Sequence, residues 1–305
     1  MEETLRRWAA ARGYQVGWGS RQVVAAARGD VARRLALGEI DEGLYRSEMT
    51  ALGGESEASA AELPTVMVVV QPRPAHTVAF ELEGGQKEAL LPPTYVRYRA
   101  TFGEVGRDLA EHGLPGARVE RLDAPLKTVA ARLGLVRYGR NHVTYAAGAG
   151  SYFQLLGYLT DAPLPWDGAG IPPERALMPE CEGCGVCASV CPTGAIDPDR
   201  MLLHAERCLT FFNENPGPWP AWLSEGAHTS LLGCLLCQAC CPANPELPRE
   251  ETGVVFTERE TAALLADDGG RGEPAWEGIR AKLERLGQPT SEGVLGRNLR
   301  ALVGR

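Results

Sequence analysis

Apolar residues recur at three- and four-residue steps from Glu2 to Arg12, Val23 to Leu37 and Asp41 to Leu52, which predicts three helices. Glu55 to Glu62 is small and polar and reads as a linker. Thr65 to Val70 is an unbroken β-branched run ended by Pro72 and Pro74, the pattern of a strand buried on both faces. His76 to Leu82 alternates as a second strand, Gly84-Gly85 turns the chain, and Lys87 to Leu91 supplies a hairpin partner before Pro92-Pro93 breaks the pattern. Tyr95 to His112 reads as a helix stopped by Gly113 to Gly116, and Arg118 to Leu122 as a short strand. Pro125 suits the first turn of a helix that runs to Leu133 and closes at Gly134. His142 to Ala146 predicts a short strand and Ser151 to Leu159 a helix. Pro163 to Pro173 is rich in Pro and Gly, and beyond Pro248 helices are predicted over 258–266, 276–286 and 294–303. The expected organisation is a helical region 1–62, an α/β domain 63–165, a distinct segment 166–248 and a helical region 249–305.

Composition narrows the class. In 305 residues, 44% are hydrophobic and 23% charged, which suits a globular chain with a real core. No apolar run approaches the length of a membrane span, and Met1 to Arg12 has no apolar stretch of signal-peptide type, so a cytoplasmic protein without a membrane partner is expected. The net charge of −8 argues against broad non-specific binding to nucleic acid, and no DNA partner is expected.

The chemistry lies in nine cysteines, all between Cys181 and Cys241. A disulfide framework would spread them through a short secreted chain. Cys181-x-x-Cys184-x-x-Cys187-x-x-x-Cys191-Pro192 instead has the spacing of the bacterial ferredoxin run, whose fourth cysteine ligates the other cluster of a pair. Three thiolates at short steps wrap one corner of a cubane, and the longer step carries the fourth away. Cys208 followed by Cys234-x-x-Cys237-x-x-x-Cys241-Pro242 is complementary. Exchange of the proline-linked cysteines gives two 4Fe-4S clusters. One takes Cys181, Cys184, Cys187 and Cys241; the other takes Cys208, Cys234, Cys237 and Cys191. Cys240 is left over, because the three-residue spacer and the proline favour Cys241. Zinc sites would use separated C-x-x-C knuckles rather than this run.

At these residues the chain resembles a known family. CEGCGVCASVCPTGAI (181–196), HAERCLTFF (204–212) and GCLLCQACCPAN (233–244) are similar to the double-cluster region of epoxyqueuosine reductase, itself related to reductive dehalogenases. The likeness extends upstream to GLVRYGRN (134–141), GSYF (150–153) and LTD (159–161), and weakly downstream to GRNLRAL (296–302). It implies an α/β (α+β) protein: a nitroreductase-like corrinoid domain fused to a ferredoxin-like two-cluster domain, with helical ends. It further implies a cytoplasmic reductase in which electrons run from an external low-potential donor of flavodoxin or ferredoxin type, through both clusters, to cobalamin. In the best-known branch the substrate is epoxyqueuosine in tRNA and the product queuosine. The resemblance places the cofactor near two glycine turns and makes Gly139, Arg140, Asn141, Gly150, Ser151 and Tyr152 candidate contacts; isolated glycines also simply close turns. The family's acidic proton donor precedes a proline and a helix. Here Asp123 stands two residues before Pro125 and Glu120 lies at the expected distance from Gly134, so either is a candidate general acid. Arg140 replaces the usual Lys of the glycine turn, and LPPTYVRY (91–98) replaces a Tyr-His pair.

Two further features stand out. His142 follows the glycine turn and is the histidine most worth testing, although a hydrogen-bonded structural role is the plainer reading. Phe211, Phe212, Trp219 and Trp222 lie in an insert between cysteines of one cluster, where they would shield it from water. A competing class is an electron-transfer protein that reduces a partner enzyme or corrinoid and has no small substrate of its own.

Overall fold

A computed structural model describes residues 1–50, 61–166, 176–266, 274–288 and 291–304. The chain begins with α1 (Glu2–Ala11), β1 (Gln15–Ser20), α2 (Gln22–Ala36) and a single turn α3 (Glu42–Leu44). It continues through β2 (Thr65–Pro72), β3 (Ala75–Leu82), β4 (Gly85–Leu91), α4 (Tyr98–Asp108), β5 (Val119–Arg121) and α5 (Leu126–Arg132). A small hairpin, β6 (Arg137–Tyr138) and β7 (Thr144–Tyr145), leads to β8 (Phe153–Thr160). The cysteine segment holds only short helices, α6 (Val186–Ser189), α7 (Leu209–Glu214) and α8 (Leu236–Ala239). β9 (Arg249–Phe256), α9 (Glu258–Ala266), α10 (Pro274–Leu286) and α11 (Glu292–Val303) complete the chain.

Four antiparallel strands form the main sheet in the order β1-β2-β8-β5. β2 explains the layering. Val66, Val68 and Val70 pack with Val23, Val24 and Ala27 of α2 and Val129 and Ala130 of α5, while Met67 and Val69 pack with Leu5 and Trp8 of α1 and Phe102 and Val105 of α4. Successive strand side chains point to opposite faces, so a strand covered on both sides must be apolar throughout. The expected strand at 65–70 is this element.

The predicted helix at Ser151–Leu159 is instead the strand β8, paired along its length with β2. Phe153 and Leu159 face α2 and α5, while Leu156 and Tyr158 face α1 and α4. Burial of both faces removes the period-two signal and leaves an apolar segment that periodicity cannot distinguish from a helix. A Cβ at Gly157 would meet the end of the Leu126 side chain of α5, which packs over the strand at this point.

Besides the two-residue β6, two longer strands were not expected at all. β1 contains Gly17 and Gly19, which are weak strand formers, and it is held by pairing with β2 and by Leu133, Leu135 and Trp166 against the glycine positions. β9 begins with three charged residues and pairs in parallel with β3, which also pairs with β4, to form a second sheet β4-β3-β9. Trp276, Ile279 and Leu283 of α10 and Leu295 and Leu299 of α11 cover it, and Phe80 of β3 stacks on Phe256 of β9 with centroids 4.9 Å apart. The expected helical ends, 1–62 and 249–305, therefore each contribute a strand to a sheet. The predicted helix at Asp41–Leu52 is realised as α3 and a π-helical turn at Tyr45–Met49; its last residues, the linker from Glu55 to Ala60 and the Pro-Gly boundary after Trp166 lie outside the described residues.

The C-terminal helix also grips the cysteine segment. Buried Asn298 donates to the carbonyls of Asn213 and Leu231 at 2.9 Å each, and Arg297 donates to the carbonyls of Phe212, Gly217 and Asn215. These two residues belong to the downstream GRNLRAL motif. Phe256→Ala would remove the stacked pair that joins β9 to β3, and a loss of roughly 3–5 kcal/mol is expected. Chemical denaturation measures it; a loss under 1 kcal/mol would mean that β9 does not anchor the second sheet.

Candidate functional site

The chain path sorts the cysteines into two groups. Cys181, Cys184, Cys187 and Cys241 line one open cavity together with Gly139, Arg140, Asn141 and Tyr145. Cys191, Cys208, Cys234 and Cys237 form the second group, where each of the last three feels the charge of Cys191 or of its neighbours. Cys187 lies on α6 and Cys237 on α8, and each short helix ends in a turn that delivers the proline-linked cysteine to the opposite group. Cys240 does not line the cavity, and its Sγ lies 3.7 Å from the Cys237 carbonyl.

Burial pushes the thiols upward, to about 11 for Cys187 and Cys234, with Cys237 higher still, and neighbouring cysteines add to the shift. Cys191 goes the other way: burial is overcome by hydrogen bonds from the Thr193 hydroxyl and the N–H groups of Thr193, Ala195 and Ile196. Four thiolates so enclosed repel one another unless a positive centre lies among them. Among the described residues no three His, Cys, Asp or Glu side chains converge closely enough for a single ion. A donor set of four sulfurs around a cavity suits a larger, sulfur-bridged iron centre.

The glycine turns clasp these loops. The Arg140 N–H donates to Cys181 Sγ at 3.3 Å, and Asn141, 1% exposed, donates to the Cys237 carbonyl at 3.0 Å. A Cβ at Gly139 would lie 2.6 Å from both Asn141 Oδ1 and the Tyr145 ring. The Ser151 N–H donates to Asn244 Oδ1 at 2.7 Å, the Ser151 hydroxyl donates to Gln238 Oε1 at 2.9 Å, and the Tyr152 hydroxyl approaches the Gln238 carbonyl at 3.4 Å. Gly150 has φ +59° and sits hard against Asn244 and Pro245. The candidate cofactor contacts thus spend most of their polar atoms on the cysteine loops, while the Arg140 guanidinium reaches the Arg200 carbonyl at 3.5 Å.

A second constellation was only partly foreseen. Water reaches the side chains of Lys127 on α5 and Glu214 on α7, yet both are strongly desolvated. We infer from this combination that they line a recessed crevice, since a side chain that water reaches while neighbouring atoms crowd it lies on a concave surface. Burial lowers Lys127, while Cys208, Cys237 and Glu214 oppose the fall. Burial raises Glu214, which hydrogen-bonds the Tyr95 hydroxyl and feels the charges of Glu48 and Lys127. Tyr95 is itself raised by burial, by Glu214 and by Cys208 and Cys234, so the crevice opens on the second cysteine group. Tyr98 points elsewhere, donating to the Leu155 carbonyl at 3.0 Å. Lys127 is one of only three lysines and directly follows Pro125-Leu126; that rarity was the available signal.

The candidate acids lie in a different setting. Glu120 pairs with Arg118, and Asp123 pairs with Arg121 at 2.8 Å with 60% of its side chain exposed. The carboxylate that interacts with a cysteine group is Glu214. His142 is left-handed at φ +57°, stacks on Tyr138 at 4.9 Å and is lowered to about 3 by burial, so it is a neutral packing residue. In the aromatic insert, Trp219 stacks on buried His228 at 3.8 Å, Phe212 meets Trp222 edge-on, and Trp222 remains exposed.

Residues 180–244 match the 4Fe-4S double cluster binding domain. Over its whole length the chain superposes on the epoxyqueuosine reductase of Bacillus subtilis with a TM-score of 0.65 and 19% identity, covering 99% of this chain and 80% of that one. The fold is that of the epoxyqueuosine reductases. A structure of epoxyqueuosine reductase with an epoxyqueuosine-modified tRNA stem loop matches with a TM-score of 0.63 and 18% identity over 99% of this chain and 80% of that one. In sequence, the chain is 35% identical over 127 residues to epoxyqueuosine reductase of Escherichia coli, covering 40% of this chain and 30% of the relative. It is 29% identical over 118 residues to that of Bacillus cereus, covering 39% and 29%. The sequence match therefore spans about three tenths of these curated relatives.

Gly150→Ala would force an L-residue into the left-handed region and drive its Cβ into Asn244 and Pro245. A destabilisation above about 1 kcal/mol is expected, with faster proteolysis within the cysteine segment. Wild-type resistance would show that this turn is not what docks the segment.

Proposed function

We propose that this chain is an iron–sulfur reductase of epoxyqueuosine reductase type, with two 4Fe-4S clusters feeding electrons to a substrate in the crevice beside Lys127. The carrying observation is the pair of crossed cysteine groups, one of them bordering a crevice with titratable walls. The outer cluster would use Cys181, Cys184, Cys187 and Cys241, and the inner one Cys191, Cys208, Cys234 and Cys237. The domain match and the exchange of ligands between neighbouring loops support this set. An external low-potential donor would reduce the outer cluster. No helix among the described residues is long and apolar enough to cross a membrane, which accords with the proposed cytoplasmic setting.

The substrate proposed is epoxyqueuosine in tRNA, after the names of the relatives and the stem-loop complex. Reducing an epoxide to an alkene consumes two electrons and two protons and releases water, so the crevice must supply acid. Glu214, raised by burial against the lowering effect of the Tyr95 hydrogen bond, would be the group that carries a proton at its carboxyl oxygen to the departing oxygen. Asp123 and Glu120, paired with Arg121 and Arg118, stand beside it as alternative candidates for that acid. Lys127, a cation facing the inner cysteines, would orient an anionic or strongly polar group.

Cobalamin fits this reading in one respect: the crevice is desolvated, reachable by water and bordered by the inner thiols. Tyr95, Lys127 and Glu214 would face it, and the turns at Gly139–Asn141 and Gly150–Tyr152 would hold the wall behind it. When bound, it would supply low-potential cobalt chemistry. A second reading, an electron-transfer protein with no substrate of its own, is favoured by the surface placement of Glu120 and Asp123.

Anaerobic reconstitution should give about eight iron atoms per chain. Cys191→Ser and Cys208→Ser should each lose the same cluster, and Cys184→Ser the other; loss of different clusters on the first two substitutions would overturn the crossed set. Glu214→Gln should lower turnover of epoxyqueuosine stem loop about 10²-fold with iron content unchanged. Unaltered turnover would remove Glu214 as the acid, and no turnover by the wild-type protein with donor and cobalamin present would favour the electron-transfer reading.

A further inference from the structure

The loop from Cys181 to Cys191 lies largely at the surface, and it exposes apolar side chains beside the outer cysteine group. Val186 opens α6 and Val190 follows its last residue, so the two stand one helical turn apart on a shared face. They are 43% and 38% exposed. Single exposed valines are ordinary on protein surfaces; a pair beside a redox site is not placed at random. Val186 lines the same open cavity as Cys181, Cys184, Cys187 and Cys241, and so does exposed Pro242 of the loop after α8, which packs against α6. Charge on this surface has one sign. Glu180 lines the cavity, Glu182 follows Cys181, and both are exposed. From Ala176 to Asp199 and from Gly233 to Pro248 the sequence contains no Lys, Arg or His. Arg140 also lines the cavity, but its guanidinium turns to the Arg200 carbonyl at 3.5 Å.

We propose that α6 and its flanking turns dock a small redox protein whose cofactor edge is apolar and ringed by lysine or arginine, with Val186 and Val190 at the centre of the contact and Glu180 and Glu182 at its rim. This rests on the two-cluster reading above and adds to it the surface chemistry of the electron donor. One electron passes from the reduced carrier to the oxidised outer cluster, so the carrier is oxidised, the cluster is reduced and no bond forms or breaks. Transfer requires the two centres to come close, and here a single short helix separates the outer group from water. An apolar centre excludes water from such a contact, while a charged rim steers the approach. Charge also selects the occupant. A second copy of this chain, at −8, and a nucleic acid backbone would both be repelled by the two carboxylates, whereas a basic rim is attracted. A patch this small suits a transient redox encounter rather than a permanent complex.

A cytochrome c with a lysine-ringed haem edge serves as the probe, mixed in stopped flow with reduced protein freed of excess reductant. Its reduction rate should fall about tenfold between low ionic strength and ~0.3 M salt. Glu180→Lys with Glu182→Lys should slow the low-salt reaction about tenfold, whereas Glu2→Lys with Glu3→Lys, the same change of charge on α1, should alter it less than about twofold. Val186→Ser with Val190→Ser should slow it at every salt concentration, with iron content unchanged. A rate that rises with salt, equal effects of the two charge-reversed pairs, or an unaltered rate in the valine pair would overturn the proposal. Should the loop variants lose iron, carbodiimide cross-linking of the wild-type protein to cytochrome c decides: coupling concentrated at Glu180 and Glu182 supports this surface, and coupling spread over acids elsewhere overturns it. Iron far below about eight per chain in the wild type would instead sink the two-cluster reading, and the cross-linking result would still report on the docking surface by itself.

Discussion

Mutual repulsion among buried sulfurs is the constraint that organises this protein. In both cysteine groups burial disfavours the thiolate, at Cys187 in one and at Cys234 and Cys237 in the other, and neighbouring thiolate charges add to the effect. Such a site can be charged only when a cationic centre sits within it and surrounding N–H and O–H groups point inward. The loops meet that requirement from several directions. Thr193 and the amides after Cys191 serve one group, and the Arg140 N–H serves the other. Much of the α/β body can be understood as the frame that holds these donors still.

The frame is rigid where rigidity is needed. β2 is buried on both faces and flanked by β1 and β8, and β8 emerges directly from the Gly150–Tyr152 turn that grips Asn244 and Gln238. α5 follows β5, packs on β8 and presents Lys127 toward the inner thiols. The second sheet, closed by α10 and α11, holds the cysteine segment from the other side through Asn298 and Arg297. The crevice lies where these contributions meet, and its walls come from Tyr95, Lys127 and Glu214, which are far apart in the chain.

The proposed division of labour follows from depth. The outer group lines an open cavity, whereas Cys208 and Cys237 lie near Tyr95 and Lys127 in the crevice. Electrons entering from a partner would meet the outer group first and leave through the inner one, beside the Glu214 carboxyl. The aromatic insert borders the same region, with Trp219 packed on His228 and Trp222 exposed, so only part of it can shield a cluster.

The sequence by itself determined the cysteine spacing, because ligand geometry around a small cluster is a local property of short loops. It also determined the buried strand β2 and most helices, since each announces itself through its own apolar pattern. β8 was not legible, because burial on two faces makes a strand as uniformly apolar as a buried helix and only pairing with β2 decides between them. β1 and β9 were not legible either: their glycines and charges argue against strands, and partners distant in sequence supply the pairing. The acidic candidates show how far spacing carries. Spacing from a glycine turn places Glu120 and Asp123 along the chain but not in space, and the fold gave them arginine partners at the surface. Only tertiary structure could bring Glu214, Tyr95 and Lys127 to one crevice, because burial and charge at a site depend on everything packed around it.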